Sequence, residues 1–138
     1  MMDTSCIFCL IANGEIPART VCENDHFRVI LDNSPASEGH ALVLPKAHYR
    51  DLMSIPPELA GEAMEIASRV ARLYQERLGC TGLNLIQNNG EIAGQTVHHF
   101  HLHIIPRYKG GPKMLQWKPG SPSPEQLDST LARILGGK

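Results

Sequence analysis

The fold of this chain is decided by residues 95–107, which read QTVHHFHLHIIPR. Histidines alternate here with apolar residues, in the order His99, Phe100, His101, Leu102, His103 and Ile104. Side chains two positions apart on a β-strand project from the same face. The alternation therefore predicts a strand with three imidazoles on one face, while His98 and the apolar residues project from the other face toward a core.

Three interpretations of such a strand differ in function. A solvated polar face over a core accounts for it poorly, because Thr, Lys or Glu would serve equally well and histidine is an uncommon choice there. A His-x-His pattern on a strand can instead supply two or three zinc ligands. Alternatively, one imidazole attacks a phosphorus atom while its neighbours bind the phosphoryl oxygens. Residues outside the strand have to distinguish these chemistries.

The flanking residues resemble the signature of the histidine triad family of nucleotide hydrolases and transferases. The similarity includes residues 95–97 before the histidines and 106–107 after them, and it extends from Cys6 to about Arg107. The opening Cys-Ile-Phe-Cys segment at residues 6–9 is most similar to the bacterial Hint-like branch. The resemblance implies a histidine triad domain with about five mostly antiparallel strands and one main helix, paired into a homodimer.

Composition narrows the possible partners. The chain has 138 residues, a length typical of one domain, so we expect a single domain over residues 1–138 with a variable tail from 110 to 138. Its formal net charge of -1 provides no overall field for nucleic acid or anionic membranes, so any phosphate recognition must be local. No stretch approaches membrane-span length and no signal peptide is recognisable, which predicts a cytoplasmic protein.

The remaining sequence predicts an α+β fold independently of the resemblance. Short β-like runs meet at turns, and one long segment has apolar residues at the helical period with Gly79 at its end. Strands joined by short turns around one long helix indicate a mostly antiparallel sheet. The predicted helical segments are 6–16, 56–79 and 125–135, and the predicted strands outside the histidine segment are 20–23, 26–32, 41–45 and 82–87.

The resemblance assigns the catalytic residues. His101 matches the family's nucleophile, and His103 matches the residue that contacts the α-phosphate. His40 stands where the family places a further histidine packed against the triad, and Thr96 stands where it places a hydroxyl residue that serves the leaving group. Neutral imidazole is a competent nucleophile near pH 7, and protonation makes its bond to phosphorus labile. Hydrolysis through a nucleotidyl-histidine intermediate is therefore expected.

The resemblance also implies a nucleotide-binding set. Asp32 matches an acidic residue that accepts hydrogen bonds from ribose hydroxyls, although a turn aspartate explains it nearly as well. Asn88 matches an asparagine facing the phosphate and ribose, and Gln95 matches a glutamine bonded to a phosphate oxygen. Apolar residues near the N-terminus are candidates for a purine pocket, with ordinary core packing as the alternative. These candidates are Ile7, Phe8, Ile11 and Ile30.

A metal site is the second expectation. Cys6 and Cys9, together with His48 and His99, would form a closed Cys₂His₂ set of the structural type, and the resemblance makes zinc the expected ion. A histidine that binds zinc is not free for chemistry, which agrees with His101 as the nucleophile. A redox pair or free thiols remain the alternative for the two cysteines.

Several functions share these residues. A purine nucleoside phosphoramidase, cleaving adenosine or guanosine 5′-phosphoramidates, is the leading prediction. The alternatives are a dinucleoside polyphosphate hydrolase, a nucleotide-binding interaction module without turnover, and a metallohydrolase that uses the three alternating histidines as ligands. The tail around Trp117 favours the first, because it looks Hint-like, and Trp117 either caps the partner subunit's site or packs on it.

Overall fold

A five-stranded antiparallel sheet forms the centre of the molecule in the computed structural model, which describes residues 1–114 and 117–136. The strand order is β1-β2-β3-β5-β4, and each neighbouring pair is antiparallel. This arrangement confirms the predicted α+β class. The strands are β1 (Thr20–Glu23), β2 (Phe27–Leu31), β3 (Ala41–Pro45), β4 (Gly82–Ile86) and β5 (Leu102–Arg107).

The helices are α1 (Ile7–Ala12), α2 (Pro57–Arg77) and α3 (Pro124–Ile134), with a short 3₁₀ turn at Glu91–Ala93. Helices α1 and α2 cover opposite faces of the sheet, whereas α3 buries none of its residues. All three predicted helices are therefore confirmed. The strand β3 is buried along its whole length because its side chains alternate between two cores. Ala41 and Val43 pack in the α2 core, whereas Leu42 and Leu44 pack with α1.

The strand β5 places the histidine face on the α1 side of the sheet. Leu102 and Ile104 pack in the α2 core, so His103 projects from the opposite face, where its backbone pairs with Leu42 of β3. The main helix α2 begins with proline at its first turn and follows its predicted amphipathic pattern. The α2 core thus holds one face of β5, and pairing with β3 and β4 holds its two edges.

The predicted histidine strand is shorter than expected at its N-terminal end. Regular pairing starts at Leu102, and the prediction that His98 projects toward a core is wrong. His98 is exposed, and its Nε2 lies 3.4 Å from a carboxylate oxygen of Glu91. A turn before β5 directs His98 outward. In this turn the His99 N–H donates to Val97 O, and the Phe100 N–H donates to Tyr49 O.

The tail carries the least packed element. Helix α3 begins at a capping box formed by Ser123 and Gln126. It has no buried residue, and Leu127, Leu131 and Ile134 are exposed on it. Trp117 is also exposed. Four residues of the predicted tail, Leu115, Gln116, Gly137 and Lys138, lie outside the described residues.

No helix among residues 1–114 and 117–136 combines the length and apolar character needed to cross a membrane.

Candidate active site and metal centre

Cys6, Cys9, His48 and His99 converge into one group, which we call the thiol cluster, and their ligand atoms all lie within 4.8 Å of one another. The His99 Nδ1 atom lies 3.4 Å from both cysteine Sγ atoms, and the His48 Nδ1 atom lies 3.3 Å from the Cys9 Sγ atom. Tetrahedral zinc with ordinary bond lengths separates sulfur and nitrogen ligands by roughly 3.6 Å. The donor set therefore fits such an ion with little movement.

Each histidine of such a group has an inner ring nitrogen that faces the other members and an outer ring nitrogen that faces away from them. In His99 the outer nitrogen is Nε2, and its hydrogen bond leaves the inner Nδ1 able to bind a metal. His99 Nε2 lies 2.9 Å from the Pro45 carbonyl oxygen. A carbonyl only accepts hydrogen bonds, so Nε2 carries the proton and Nδ1 keeps a lone pair directed at the two sulfurs. Burial lowers the pKa of His99 to about 4, which keeps the ring neutral. The thiol cluster thus has the donor chemistry of a closed structural site.

A second group, which we call the imidazole relay, consists of Asp32, His40 and His103, whose ligand atoms also lie within 4.8 Å of one another. The His40 Nε2 atom is 2.9 Å from His103 Nδ1 and 3.6 Å from Asp32 Oδ2. Asp32 follows β2 and His40 precedes β3, so the two strands of one hairpin deliver both residues to β5.

The outer nitrogen of His40 has the opposite neighbour to that of His99. The backbone N–H of Ala36 donates to His40 Nδ1 at 2.9 Å. The neutral His40 ring must therefore carry its proton on Nε2, which donates to His103 Nδ1. His103 then has its own proton on Nε2, free to donate. Burial lowers the pKa of His40, and burial lowers the pKa of His103 to about 4, so both rings stay neutral near pH 7.

His101 lies between the thiol cluster and the imidazole relay. Its Nδ1 donates to the His99 carbonyl oxygen at 2.7 Å, which leaves the lone pair on Nε2. Its ring centroid is 5.0 Å from that of His103, and the Phe8 ring contacts it edge-on at 5.0 Å. Burial lowers the pKa of His101. A neutral His101 with an unprotonated Nε2 can attack a phosphorus atom. The neighbouring His103 ring has an N–H that can stabilise the negative charge that develops on the phosphoryl oxygens.

The structure gives Gln95 a task in the loop before the histidines. Its side-chain oxygen accepts from the Gly90 N–H at 2.8 Å, and its amide nitrogen donates to Arg50 O and Val97 O. Gln95 is 2% exposed, and both hydrogens of its amide are used. A bond from Gln95 to a phosphate oxygen would need one of these bonds to break, so that contact stays a prediction.

Two other predicted residues lie in the same region without joining the histidine groups. Thr96 is exposed directly after Gln95, and Asn88 is half-buried after β4. Among the described residues, no hydrogen bond joins either side chain to a histidine of the site. Their predicted contacts with substrate stay predictions.

The predicted apolar pocket divides in the structure. Ile30 is buried in the core beneath α1, and Phe8 and Ile11 pack against that core. Ile7, by contrast, is 52% exposed on the outer side of α1. The structure thus brings three of the four residues together and leaves Ile7 apart.

Sequence reasoning missed the backbone atoms that set the tautomers. The Pro45 carbonyl and the Ala36 N–H determine which nitrogen of His99 and of His40 carries a proton. Every residue type except proline offers both groups, so no sequence signal marks them. The sequence spacing between Asp32 and His40 indicates only that the loop joining them lies near His40.

The fold and the three alternating histidines together define a histidine triad protein. Residues 13–110 match the family model described as the HIT domain, and the chain belongs to this family. It is 42% identical over 106 residues to adenosine 5′-monophosphoramidase from Saccharomyces cerevisiae, which covers 77% of this chain and 65% of that relative.

Solved structures show the same fold along nearly the whole chain. A HIT family protein from Bacillus anthracis has a TM-score of 0.89 and 37% identity, covering 99% of this chain and 98% of that one. A zinc-bound histidine triad family protein from Mycobacterium smegmatis has a TM-score of 0.75 and 38% identity, covering 96% of both chains.

Proposed function

We propose that this protein is a nucleotide hydrolase that cleaves purine nucleoside phosphoramidates at the α-phosphate through a nucleotidyl-histidine intermediate. One observation carries the proposal: His101 keeps a lone pair on Nε2 because its Nδ1–H is bound to the His99 carbonyl oxygen. The name of the yeast relative, adenosine 5′-monophosphoramidase, supports the same activity. As a member of the HIT family, the chain is in the broader sense a nucleotide hydrolase or nucleotide-binding protein.

The reaction has two steps. The His101 Nε2 lone pair forms a bond to the α-phosphorus, and the bond from phosphorus to the substrate's amine breaks as that nitrogen takes up a proton. Water then attacks the same phosphorus and releases a proton to solvent, and the electron pair of the His101–phosphorus bond returns to Nε2. The His103 N–H supports both steps by donating to a phosphoryl oxygen, where negative charge increases.

The nucleotide is proposed to bind next to these rings. The Asp32 carboxylate would accept hydrogen bonds from the ribose hydroxyls. Its Oδ1 accepts a hydrogen bond from the Ser34 N–H at 2.8 Å, which orients the carboxylate. The Thr96 hydroxyl would donate a hydrogen bond to the leaving group and pass it a proton taken from solvent, and Asn88 and Gln95 would contact the phosphate region. The purine would lie against apolar residues of α1 and β2, for which Ile7, Phe8, Ile11 and Ile30 are proposed.

Zinc is proposed as a structural ion in the thiol cluster. The sulfur and nitrogen donors support this assignment, and so does the Pro45 carbonyl that accepts the Nε2 proton of His99. The zinc-bound relative from M. smegmatis supports it as well. When bound there, zinc supplies folding stability and no reactive group, because four protein ligands close the site. The bound ion would link α1 to β3 and to the histidine segment through its four ligands, Cys6, Cys9, His48 and His99.

The remaining proposals concern assembly and location. We propose a homodimer, which the exposed Leu127, Leu131 and Ile134 of α3 support, since apolar helix faces are usually covered. Sedimentation at several protein concentrations tests it.

A cytoplasmic location is supported by four free cysteines, which persist in a reducing compartment.

The deciding experiment measures AMP release from adenosine 5′-phosphoramidate and from diadenosine tetraphosphate by chromatography. We expect the phosphoramidate to be the better substrate, and we expect His101→Gly to lower turnover by about 10⁴-fold or more, as for loss of a covalent nucleophile. His98→Gln is the matched control, because His98 is an exposed histidine in the same segment, and its turnover should be unchanged.

The alternatives have distinct outcomes in this assay. Preferential cleavage of the dinucleotide would contradict the phosphoramidase and establish the polyphosphate hydrolase. Nucleotide binding without turnover of either compound would leave an interaction module.

A further inference from the structure

The loop between β2 and β3 determines how the His40 ring is held. Asp32 begins this loop and His40 ends it, and the Asp32 N–H donates to the His40 carbonyl at 2.9 Å. Inside the loop, Ala36 donates to the His40 ring and the His40 N–H donates to the Ser37 carbonyl at 3.1 Å. The tautomer of His40 therefore depends on the shape of the whole loop.

Two hydroxyl groups anchor this loop to the end of β5. The Ser37 hydroxyl donates to the Pro106 carbonyl at 2.5 Å. The Tyr108 hydroxyl donates to the Glu38 carbonyl at 2.6 Å. The first bond ends on the backbone of Pro106 inside β5, and the second starts from the side chain of Tyr108, the residue directly after β5. His103 lies near the start of the same strand, so β5 and the residue that follows it carry both His103 and the anchors of the loop that carries His40.

Gly39 adds a steric constraint directly before His40. Its backbone has a φ of +92°, a conformation that residues with a Cβ rarely adopt. A Cβ there would lie 2.7 Å from Leu78 Cδ1 of the segment after α2 and 3.2 Å from Pro106 Cγ. The backbone at Gly39 is therefore packed against α2 and β5 as closely as a residue without a side chain allows.

We propose that Tyr108 is a positioning residue that, with Ser37 and Gly39, holds the loop so that Ala36 fixes His40 as the hydrogen-bond donor to His103. This role rests on the hydrolase function proposed above. Tyr108 touches neither a reacting atom nor a histidine ring in the described contacts; it acts through the loop. Burial raises the pKa of Tyr108, so its hydroxyl keeps its proton and donates at neutral pH.

The consequence for catalysis follows from the hydrogen-bond order. With the Ala36 N–H in place, His40 donates from Nε2, His103 accepts at Nδ1, and the proton of His103 stays on Nε2. If the loop shifts, His40 can take the other tautomer, and His103 is then no longer held as a donor. Because these rings act on the charge formed during reaction, we expect kcat to fall while KM changes little.

The test uses the full chain with Tyr108→Phe, which removes only the hydroxyl. We expect kcat for adenosine 5′-phosphoramidate to fall about tenfold with KM unchanged within about twofold, the pattern of an interaction made in the transition state. Nitrogen-15 spectra of the histidine side chains should show His40 changing from the pure Nε2–H form to a mixture. Tyr74→Phe is the matched control and should keep the unmodified kcat, because it removes a buried hydroxyl that has no hydrogen-bond partner among the described residues.

A second variant keeps the proposal falsifiable. Gly39→Ala combines the unfavourable φ with the contact to Leu78, so it should lower kcat more than Tyr108→Phe and shift the His40 tautomer further. Wild-type kcat together with a pure Nε2–H form in both variants would overturn the positioning role. If the unmodified protein cleaves no phosphoramidate, the proposed function fails instead, and the His40 spectra alone still decide whether Tyr108 positions the ring.

Discussion

The thiol cluster and the imidazole relay are both compact groups of potential metal ligands, yet their hydrogen bonds give them opposite chemistry. In the thiol cluster, the outer nitrogen of His99 faces a carbonyl, so the inner nitrogen offers a lone pair. In the imidazole relay, the outer nitrogen of His40 faces an N–H, so the inner nitrogen offers a proton. A metal needs the first and rejects the second.

Proximity of histidine and carboxylate side chains therefore does not identify a metal site. The ligand atoms of Asp32, His40 and His103 lie within 4.8 Å of one another, as those of the thiol cluster do. A metal at His40 Nε2 would, however, leave Nδ1 without a proton opposite the Ala36 N–H and would require an imidazolate. Whether a histidine can bind a metal or donates a hydrogen bond is decided by the group that faces its outer ring nitrogen.

The largest expected effect comes from breaking the thiol cluster. Cys9→Ser should reduce bound zinc from about one ion per chain to none and lower the melting temperature by more than about 10 °C, because binding energy at a structural site is folding energy. Metal analysis and thermal unfolding of the purified protein measure both. His40→Gln and His103→Gln should each retain one ion, and loss of zinc in either variant would contradict the distinction between the two groups.

The next largest effect should come from breaking the imidazole relay. His40→Gln should lower kcat for adenosine 5′-phosphoramidate by about 10²-fold, the usual contribution of a proton-handling group, with one zinc still bound. Steady-state kinetics with metal analysis of the same samples provides the measurement. Full activity in this variant would show that His103 does not depend on His40.

A smaller effect should follow from loosening the loop before the histidines. Gln95→Ala leaves the Gly90 N–H and the carbonyls of Arg50 and Val97 without their partner, so the free energy of unfolding should fall by about 1–3 kcal/mol. Urea unfolding at pH 7.5 measures it. A loss of turnover out of proportion to stability would instead favour the predicted phosphate contact of Gln95.

The smallest effect should be a pH dependence carried by His103. Its pKa is about 4 in the folded protein, below the ordinary value of 6.5, so the unfolded chain binds more protons between these two values. Stability should therefore decrease as pH falls from about 6.5 toward 4. Urea unfolding at pH 7.5 and 5.0 should show a smaller decrease for His103→Gln than for the unmodified chain, and equal decreases would contradict the assignment.

The sequence predicted the elements whose residues carry a periodic or chemical signal. The apolar stripe predicted α2, and the donor chemistry of cysteine and histidine together with the family resemblance predicted the thiol cluster. The orientation of His98 was not predictable, because the turn before it depends on a hydrogen bond between Phe100 and the distant Tyr49. The tautomer of His40 was equally hidden, because a backbone N–H sets it.

The histidine triad resemblance predicted more of the site than periodicity could. It assigned His40 to the neighbourhood of the triad, and the structure places it in contact with His103. It could not indicate that Ile7 is exposed while Phe8 packs on His101, because adjacent residues of a short helix differ in orientation. Nor could it indicate that the amide of Gln95 is already bonded within its loop.

The carbonyl oxygen of His99 has a consequence for the evolution of such proteins. The proposed nucleophile depends on that oxygen, whereas the thiol cluster depends on the ring of the same residue. Every amino acid has a backbone carbonyl, so mutation at this position can exchange the ring without altering the group that orients His101. A lineage can therefore replace its four metal ligands with apolar residues and retain its chemistry, provided that the new core keeps the backbone in place.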